Sequence, residues 1–536
     1  MRFSLSLLVL IIILPILVIL AYLFTPSSAV WQHLYDTVLG TYVTQSAILM
    51  VGVGFGSLVL GITSAWLTTL CDFPLRRFFT WSLLLPMAIP AYIIAYTYTG
   101  FLDFAGPVQT VLRELFNWSY GDYWFPEVRS LTGAVIMLSL VLYPYVYLLA
   151  RSAFLSQADS VLEASQSLGL SPWQSFKRVS LPLARPAIIA GLSLVMMETL
   201  ADFGTVQYFG VDTFTTGIYR TWFGLDENSA AGQLSAILLI FVFTLMILER
   251  WSRQQARYHQ TSQRVQHSKR YTLKSGSLFS ALLFCSLLLL FSFLIPVILL
   301  SHWAWLTMDQ AFDTEFLTLA GNSLLLAAIT AITVVSIAVL LGYGLRIYKQ
   351  KNFAFLVRLS TLGYATPGVV VAVGVMIPLS WIDHRVDAFM DATFGISTGL
   401  LLSGTIFILI FAYTVRFMSV ALQSVESGLS KVRPSLDQAA QTLGCQPRQV
   451  LTRIHIPIMQ GSLLTALLIV FVDVMKELPA TLILRPFNFN TLAIRAYELA
   501  SDERLMEAAS SALAIVATGL IPVLILSYSI SKQARS

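Results

Sequence analysis

Residues 4–24, SLSLLVLIIILPILVILAYLF, run without a charged side chain for about the 20 residues a helix needs to cross a hydrocarbon core. Eleven further stretches of this kind follow. They lie near residues 44–70, 79–101, 131–151, 187–210 and 233–249, and then near 278–300, 318–346, 355–382, 398–422, 461–482 and 509–531. Each is continuously apolar rather than alternating, which predicts helices and excludes a barrel. With 57% hydrophobic and 11% charged residues, the chain has too little polar surface to cover a soluble globule of its size. The expectation is an all-α integral membrane protein, its first span too long for a cleaved signal and therefore retained.

In a soluble protein a net charge of +5 would point towards nucleic acid. Here the basic residues are first sorted by side of the bilayer, and no nucleic-acid partner is expected. With the N-terminus on the cytoplasmic side, the inner segments hold 25 of the 33 Lys and Arg residues. Both termini are thus placed in the cytoplasm. The three cysteines, Cys71, Cys285 and Cys445, are too scattered for a disulfide framework or a metal site and read as packing residues.

A twenty-residue polar island, EASQSLGLSPWQSFKRVSLP from Glu163 to Pro182, returns 275 residues later as QAAQTLGCQPRQVLTRIHIP, Gln438 to Pro457, with eight identities. The repetition extends outward. Ser46 and Pro90 match Ser323 and Pro367, while Glu198, Asp202, Thr216 and Arg220 match Asp473, Glu477, Thr491 and Arg495. Two six-span halves are expected, at 1–249 and 278–536, joined by a basic linker at 250–277. Six spans return the chain to its starting side, so the halves are parallel repeats with a pathway between them.

Inside the first island, Val161, Ala164 and Leu168 fall on one helical face, and Gly169 is placed to end that helix. Ser171, Pro172 and Gln174 then spell the start of a second helix, with a cap, a proline in its first turn and a capping-box partner. Trp173 and Phe176 are available for burial, and Pro182 is expected to stop the helix. The second copy keeps Gly444 and Pro447, with a weaker cap at Gln446. Tyr145 to Glu163 is 18 residues and Tyr413 to Gln438 is 25, which predicts about two extra turns before the second island.

These islands resemble the EAA loop of binding-protein-dependent ABC transporter permeases. The match rests on Glu163, Ala164, Gly169 and Pro182, with Ser165 in place of the second alanine, and on Ala439, Ala440, Gly444 and Pro457, where Gln438 replaces the acid. The resemblance implies the type I importer (MetI-like) permease fold in the bacterial inner membrane, with two ATPase subunits and a periplasmic substrate-binding protein as partners. It also implies that the loops dock on the ATPases, through Glu163, Ala164, Gly169, Pro172, Phe176 and Pro182 in one and Gln438, Ala439, Ala440, Gly444, Pro447, Leu451 and Pro457 in the other. The fused length and the stretches ETLADFGTVQYFGVDTFTTGIYRTWFG and MKELPATLILRP are most similar to iron(III) permeases; thiamine permeases share the fused arrangement.

No GxxxxGK[ST] sequence occurs, so no nucleotide or other cofactor is expected on this chain, and ATP hydrolysis falls to the partners. GVGFG at 52–56 lies inside a span and reads as small residues permitting helix contact. Glu198 and Asp202 stand four apart, as do Asp473 and Glu477. Acids at membrane depth face a cavity or a partner. Two readings follow: a hard-oxygen lining of the pathway, suited to a highly charged cation, or structural pairing with Lys476, Arg220 or Arg495. A proton-coupled twelve-span carrier is the rival function, with the four acids as its relay.

Overall fold

The computed structural model describes residues 2–26, 29–119, 121–157, 165, 167, 169–254, 270–308, 313–348 and 350–533. In chain order the helices are α1 (Arg2–Ala21), α2 (Ala29–Thr37), α3 (Leu39–Leu70), α4 (Arg76–Ser82), α5 (Ala91–Leu102), α6 (Pro107–Phe116) and α7 (Leu131–Leu155). Then come α8 (Pro172–Ala201), α9 (Gly204–Tyr208), α10 (Phe214–Phe223), α11 (Asn228–Gln254) and α12 (Ser275–Leu306). The rest are α13 (Thr314–Ile347), α14 (Lys351–Ser360), α15 (Gly368–Phe394), α16 (Ile406–Ser430), α17 (Pro434–Thr442), α18 (Pro447–Met475), α19 (Pro479–Leu484), α20 (Leu492–Ser501) and α21 (Leu505–Gln533). Eleven helices among the described residues are long and apolar enough to span a membrane, or twelve with one bent pair.

That bent pair corrects the expected span at 79–101. Arg76–Ala88 and Ala91–Phe116 meet at 93°, because Pro90 offers no N–H and holds Ile89 extended at φ −99°, ψ 119°. Carbonyls near the break still need partners in an apolar medium. Two tyrosines of α7 supply them: Tyr143 Oη donates to Leu83 O at 2.9 Å and Tyr147 Oη to Thr80 O at 2.8 Å. The expected span at 355–382 divides in the same way, into α14 and α15, with Pro367 at the junction.

The extra turns expected before the second island are absent. α7 and α16 are both 25 residues, and both of their ends are offset by 275. Tyr145 and Tyr413 are not equivalent positions, so the distance measured from them carried no loop length.

The described residues form two compact units, each mixing segments of both halves of the sequence. One comprises Met1–Val38, Gly217–Leu239 and Asp309–Glu498; the other comprises Leu39–Thr216, Ile240–Met308 and Leu499–Ser536. In the first, α1 packs on α15 so closely that a Cβ on Gly374 would lie 2.7 Å from Pro15 O. In the second, α12 and α21 lie against α5, where a Cβ on Gly100 would meet Trp303 at 2.7 Å and Leu505 at 2.8 Å. The first span of each half therefore completes a core built from the other half. Lipid provides little hydrophobic drive between helices, so such contacts rest on close packing at small residues.

The GVGFG stretch serves that purpose within α3. A Cβ on Gly56 would stand 2.4 Å from Ser139 Oγ of α7, and one on Gly52 would stand 3.0 Å from Val135. The linker's end is also fixed: β2 (Tyr271–Thr272) pairs in parallel with β1 (Cys71–Asp72), and Arg270 Nε donates to Thr69 O at 3.3 Å.

Candidate functional site

The second island folds as a helix, a glycine elbow and a second helix, and the described residues of the first show the same elbow and second helix. In the second copy, α17 ends in two bonds characteristic of a left-handed glycine terminus: Cys445 N to Ala440 O and Gly444 N to Gln441 O, both 3.0 Å. Gly444 has φ +77°. The first copy repeats the geometry, with Gly169 at φ +77° and Leu170 N bonded to Ser165 O at 3.2 Å. Glu163 and Ala164, with Val161, Gln166 and Leu168, lie outside the described residues.

The second arm of each elbow starts as expected. Ser171 Oγ accepts from Gln174 N at 3.3 Å and Gln174 Oε1 from Ser171 N at 3.0 Å, with Pro172 in the first turn. In the other copy Gln449 Oε1 accepts from Gln446 N at 2.9 Å, and Pro447 opens the turn. Pro182 and Pro457, however, do not stop these helices. α8 and α18 run on into the spans through wide turns at Phe176–Ser180 and Leu451–His455. A third wide turn, Leu290–Leu294, precedes Pro296 by the same two residues. Widening the turn ahead of a proline absorbs its missing N–H and its ring, so the helix bends and continues.

The two elbows are held by different chemistry. In the first, Phe176 is buried and packs on Trp66 of α3, Trp173 and Phe154, with centroids 5.2, 5.5 and 5.9 Å away. Ser165 Oγ and Ser175 Oγ, 2.6 Å apart, join its two arms. In the second, the place of Phe176 is taken by Leu451, half-buried, and the anchor is polar. Asp437 Oδ2 accepts from Arg346 Nε and its Oδ1 from the fully buried His455 Nε2, both at 2.6 Å. Arg346 also donates to Leu429 O at 2.8 Å and Val432 O at 2.9 Å, and Tyr343 Oη donates to Pro447 O at 2.7 Å. Burial pushes the Asp437 carboxyl up, but the hydrogen bonds from His455 and Arg346 and the neighbouring positive charge outweigh it and hold it below the usual carboxylate range.

The surface left open on the elbows includes Trp173, 58% exposed, and Leu443, 83% exposed. Gln438, Ala439, Gly444, Pro447 and Pro457 are exposed too, whereas Ala440 is buried. Sequence reading missed Trp66, Tyr343 and Arg346 as anchors. The signal was present: Trp66 and Tyr343 are 277 residues apart, the same offset as Ser46 and Ser323. Those serines prove structural, accepting from the first N–H of α10 (Phe214, 3.3 Å) and of α20 (Leu492, 2.8 Å).

The four acids do not share helical faces in pairs. α8 ends at Ala201 and α18 at Met475, so Asp202 and Glu477 lie beyond the helix ends. Asp202 caps α9, accepting from Thr205 N (3.1 Å), Val206 N (3.1 Å) and Thr205 Oγ1 (3.0 Å). Glu477 caps α19 through Ala480 N (3.0 Å), Thr481 N (3.0 Å) and Thr481 Oγ1 (2.8 Å). It also stands 3.5 Å from Arg416 Nη1, and the pair closes over Gly368, where a Cβ would lie 2.2 Å from that nitrogen. Asp473 pairs with Lys476 at 2.9 Å, and Glu198 sits half-buried in the last turn of α8. Among the described residues no three His, Cys, Asp or Glu side chains converge to hold a metal ion.

Comparison with known proteins returns the same duplication. The pattern of the binding-protein-dependent transport system inner membrane component matches twice, at residues 57–257 and 335–535. The Fe(3+)-transport system permease protein FbpB 2 of Haemophilus influenzae is 28% identical over 534 residues, 98% of each chain. The ferric transport system permease protein FbpB of Actinobacillus pleuropneumoniae is 25% identical over 471 residues, 82% of this chain and 64% of its own length. The molybdenum transport system permease protein ModB of Haemophilus influenzae is 29% identical over 195 residues, 36% of this chain and 82% of its own. With its helical spans and its twice-matched pattern, this chain belongs to the binding-protein-dependent transport system inner membrane components, the multi-pass permeases of ABC importers.

Proposed function

We propose that this chain is the complete permease of an ATP-driven importer for ferric iron, taking its substrate from a periplasmic binding protein. The observation that carries the substrate is the end-to-end likeness to a Fe(3+)-transport permease, 98% of both chains, against a likeness to a molybdenum permease confined to 36% of this one. Both termini lie in the cytoplasm. Each of two ATPase subunits grips one elbow, the first around Glu163, Ala164, Gly169, Pro172, Phe176 and Pro182, the second around Gln438, Ala439, Ala440, Gly444, Pro447, Leu451 and Pro457.

Because each elbow continues through a wide turn into a long span, movement of the elbow is delivered to α8 or α18 without a flexible joint between. ATP-driven closure of the ATPases then favours the outward-open state and hydrolysis resets it, an alternation driven by differential contacts in two states. In this reading Glu198 and Asp473 are the acids that iron meets in transit. Asp202 and Glu477 position the short helices beyond them. No cofactor is held by this chain.

The test is uptake of radiolabelled iron(III) by cells that lack other iron importers and express this permease with its ATPase and binding protein. Iron should accumulate and thiamine and molybdate should not; uptake of either of those without iron contradicts the assignment.

A further inference from the structure

A shallow, open pocket of about 340 Å³ lies between α16 and α18, lined by Gln423, Ser424, Ser427, Lys431, Ser462 and Thr465, most of them exposed. Its volume is within the range of about 300–1,000 Å³ usual for small-ligand clefts. Gln423, Ser427 and Lys431 follow one another at four-residue spacing along one edge, and Gly461 and Thr465 do so along the other. Lys431 Nζ and Ser462 Oγ stand 3.5 Å apart across the gap. No carboxylate lines the pocket, and among the described residues none lies within ion-pairing distance of Lys431. The nearest acid along α16, Glu426, is taken up by Arg358 at 3.2 Å.

The shared scaffold does not require this polarity. At an offset of 275 the first half carries Leu148, Leu149, Ser152, Ser156, Ala187 and Ala190 in the same positions. α7 and α8 there pack with two hydroxyls and no charge, so one repeat has gained an ammonium, an amide and two more hydroxyls on a face the other builds almost without them. Polar groups on a membrane span face a cavity or a partner, since lipid does not solvate them. A helix end alone would be served by Lys431 without the hydroxyls around it.

We propose that this pocket binds a phosphate or similar oxyanion, with Lys431 as its counter-charge and Ser427 and Ser462 as hydrogen-bond donors; Gln423 adds its second amide N–H, the first donating to Ser419 Oγ at 3.1 Å, and Thr465 turns its hydroxyl to the anion from Gly461 O, to which it donates at 2.9 Å. One cation, several neutral donors and no acid suit an anion's oxygens and repel no part of one. The same chemistry is offered by the headgroup of an anionic lipid and by a free oxyanion. The site is distinct from the elbows and from the acids Glu198 and Asp473.

The full-length protein, purified and stripped of lipid, tests this with two probes: phosphatidylglycerol followed by native mass spectrometry, and radiolabelled inorganic phosphate followed by equilibrium dialysis. At least one probe binds, about tenfold or more weaker in Lys431→Gln and in Thr465→Val, with Lys431→Arg restoring binding. Retained lipid adducts that inorganic phosphate fails to replace assign the site to a headgroup, and phosphate bound without lipid adducts assigns it to a free oxyanion. Thermal unfolding of each variant confirms that it is folded, and Thr465→Val keeps the test open should Lys431→Gln be unstable. Absence of both probes from the wild-type protein, or binding indifferent to Lys431→Gln and Thr465→Val in folded variants, overturns the proposal.

Discussion

Arg346 Nε and Asp437 Oδ2 lie 2.6 Å apart, tying the second elbow to the end of a span 91 positions earlier in the chain. Asp437 is bonded on its other oxygen to His455, so one carboxylate fixes both arms of the elbow. Asp437→Asn should destabilise the protein by about 1.5–3 kcal/mol at neutral pH, the range for hydrogen bonds to charged groups. The native carboxyl is depressed, so its contribution is present above the unfolded value near 4 and is lost as pH falls through the lower native one. Thermal unfolding of wild type and Asp437→Asn should therefore differ fully from pH 7 to about pH 5 and converge only as pH falls from about 4 through the lower native value.

The first elbow should fail to a different insult. Phe176 fills the space between Trp66, Trp173 and Phe154, and Phe176→Ala leaves that aromatic cluster with a cavity. Large-to-small changes of this kind cost about 3–5 kcal/mol, and the exposed Trp173 allows partial collapse towards the lower figure. Hydrogen exchange should accelerate at residues 169–182 and stay unchanged at 444–457. Equal acceleration at both elbows would mean that their anchors are not separate.

Gly169 and Gly444 share φ +77°, and a Cβ added to either meets nothing within 4 Å. Substitution there is a matter of backbone conformation alone. Gly444→Ala should destabilise by about 1–2 kcal/mol and Gly444→Asn by less, because asparagine visits the left-handed region more readily. Thermal unfolding of the two variants gives the order; an alanine milder than asparagine would show that the elbow relaxes to another conformation.

Asp202 and Glu477 do the same capping work in different electrostatic company. Glu477 faces Arg416 at 3.5 Å, while Val141 stands at the corresponding place in the first half and no ion pair to Asp202 exists among the described residues. Glu477→Gln leaves a guanidinium that is 15% exposed without its partner, a change that costs about 3–5 kcal/mol for buried pairs. Asp202→Asn removes the charge but keeps a side-chain cap, since asparagine caps about as well as aspartate, and should cost less than about 1 kcal/mol. Thermal unfolding should rank them in that order.

Much of this was legible in the residues. The offset of 275 predicted the second elbow from the first, and the Ser171–Gln174 pairing and the two left-handed glycines follow from local rules that need no tertiary partner. Two errors came from proline. Pro90 and Pro367 interrupt runs whose hydropathy does not change, so span-length windows passed over the breaks, while Pro182 and Pro457 are accommodated by wide turns that composition does not encode. The anchors of the elbows were hidden for another reason: Trp66 and Arg346 look like ordinary span-end residues until the elbow is folded against them. The exchange of α1 and α12 between cores was equally invisible, since an apolar span carries no mark of which partner it meets.

The central claim is that the two elbows are the handles through which ATPase subunits work the permease. The most direct measurement is co-purification of the ATPase with the double variant Gly169→Pro and Gly444→Pro, with membrane insertion checked in parallel. Proline is locked near φ −65° and cannot adopt the +77° of either glycine. The account predicts that ATPase association and iron uptake are lost while the protein remains inserted; undiminished association in the inserted variant would contradict it.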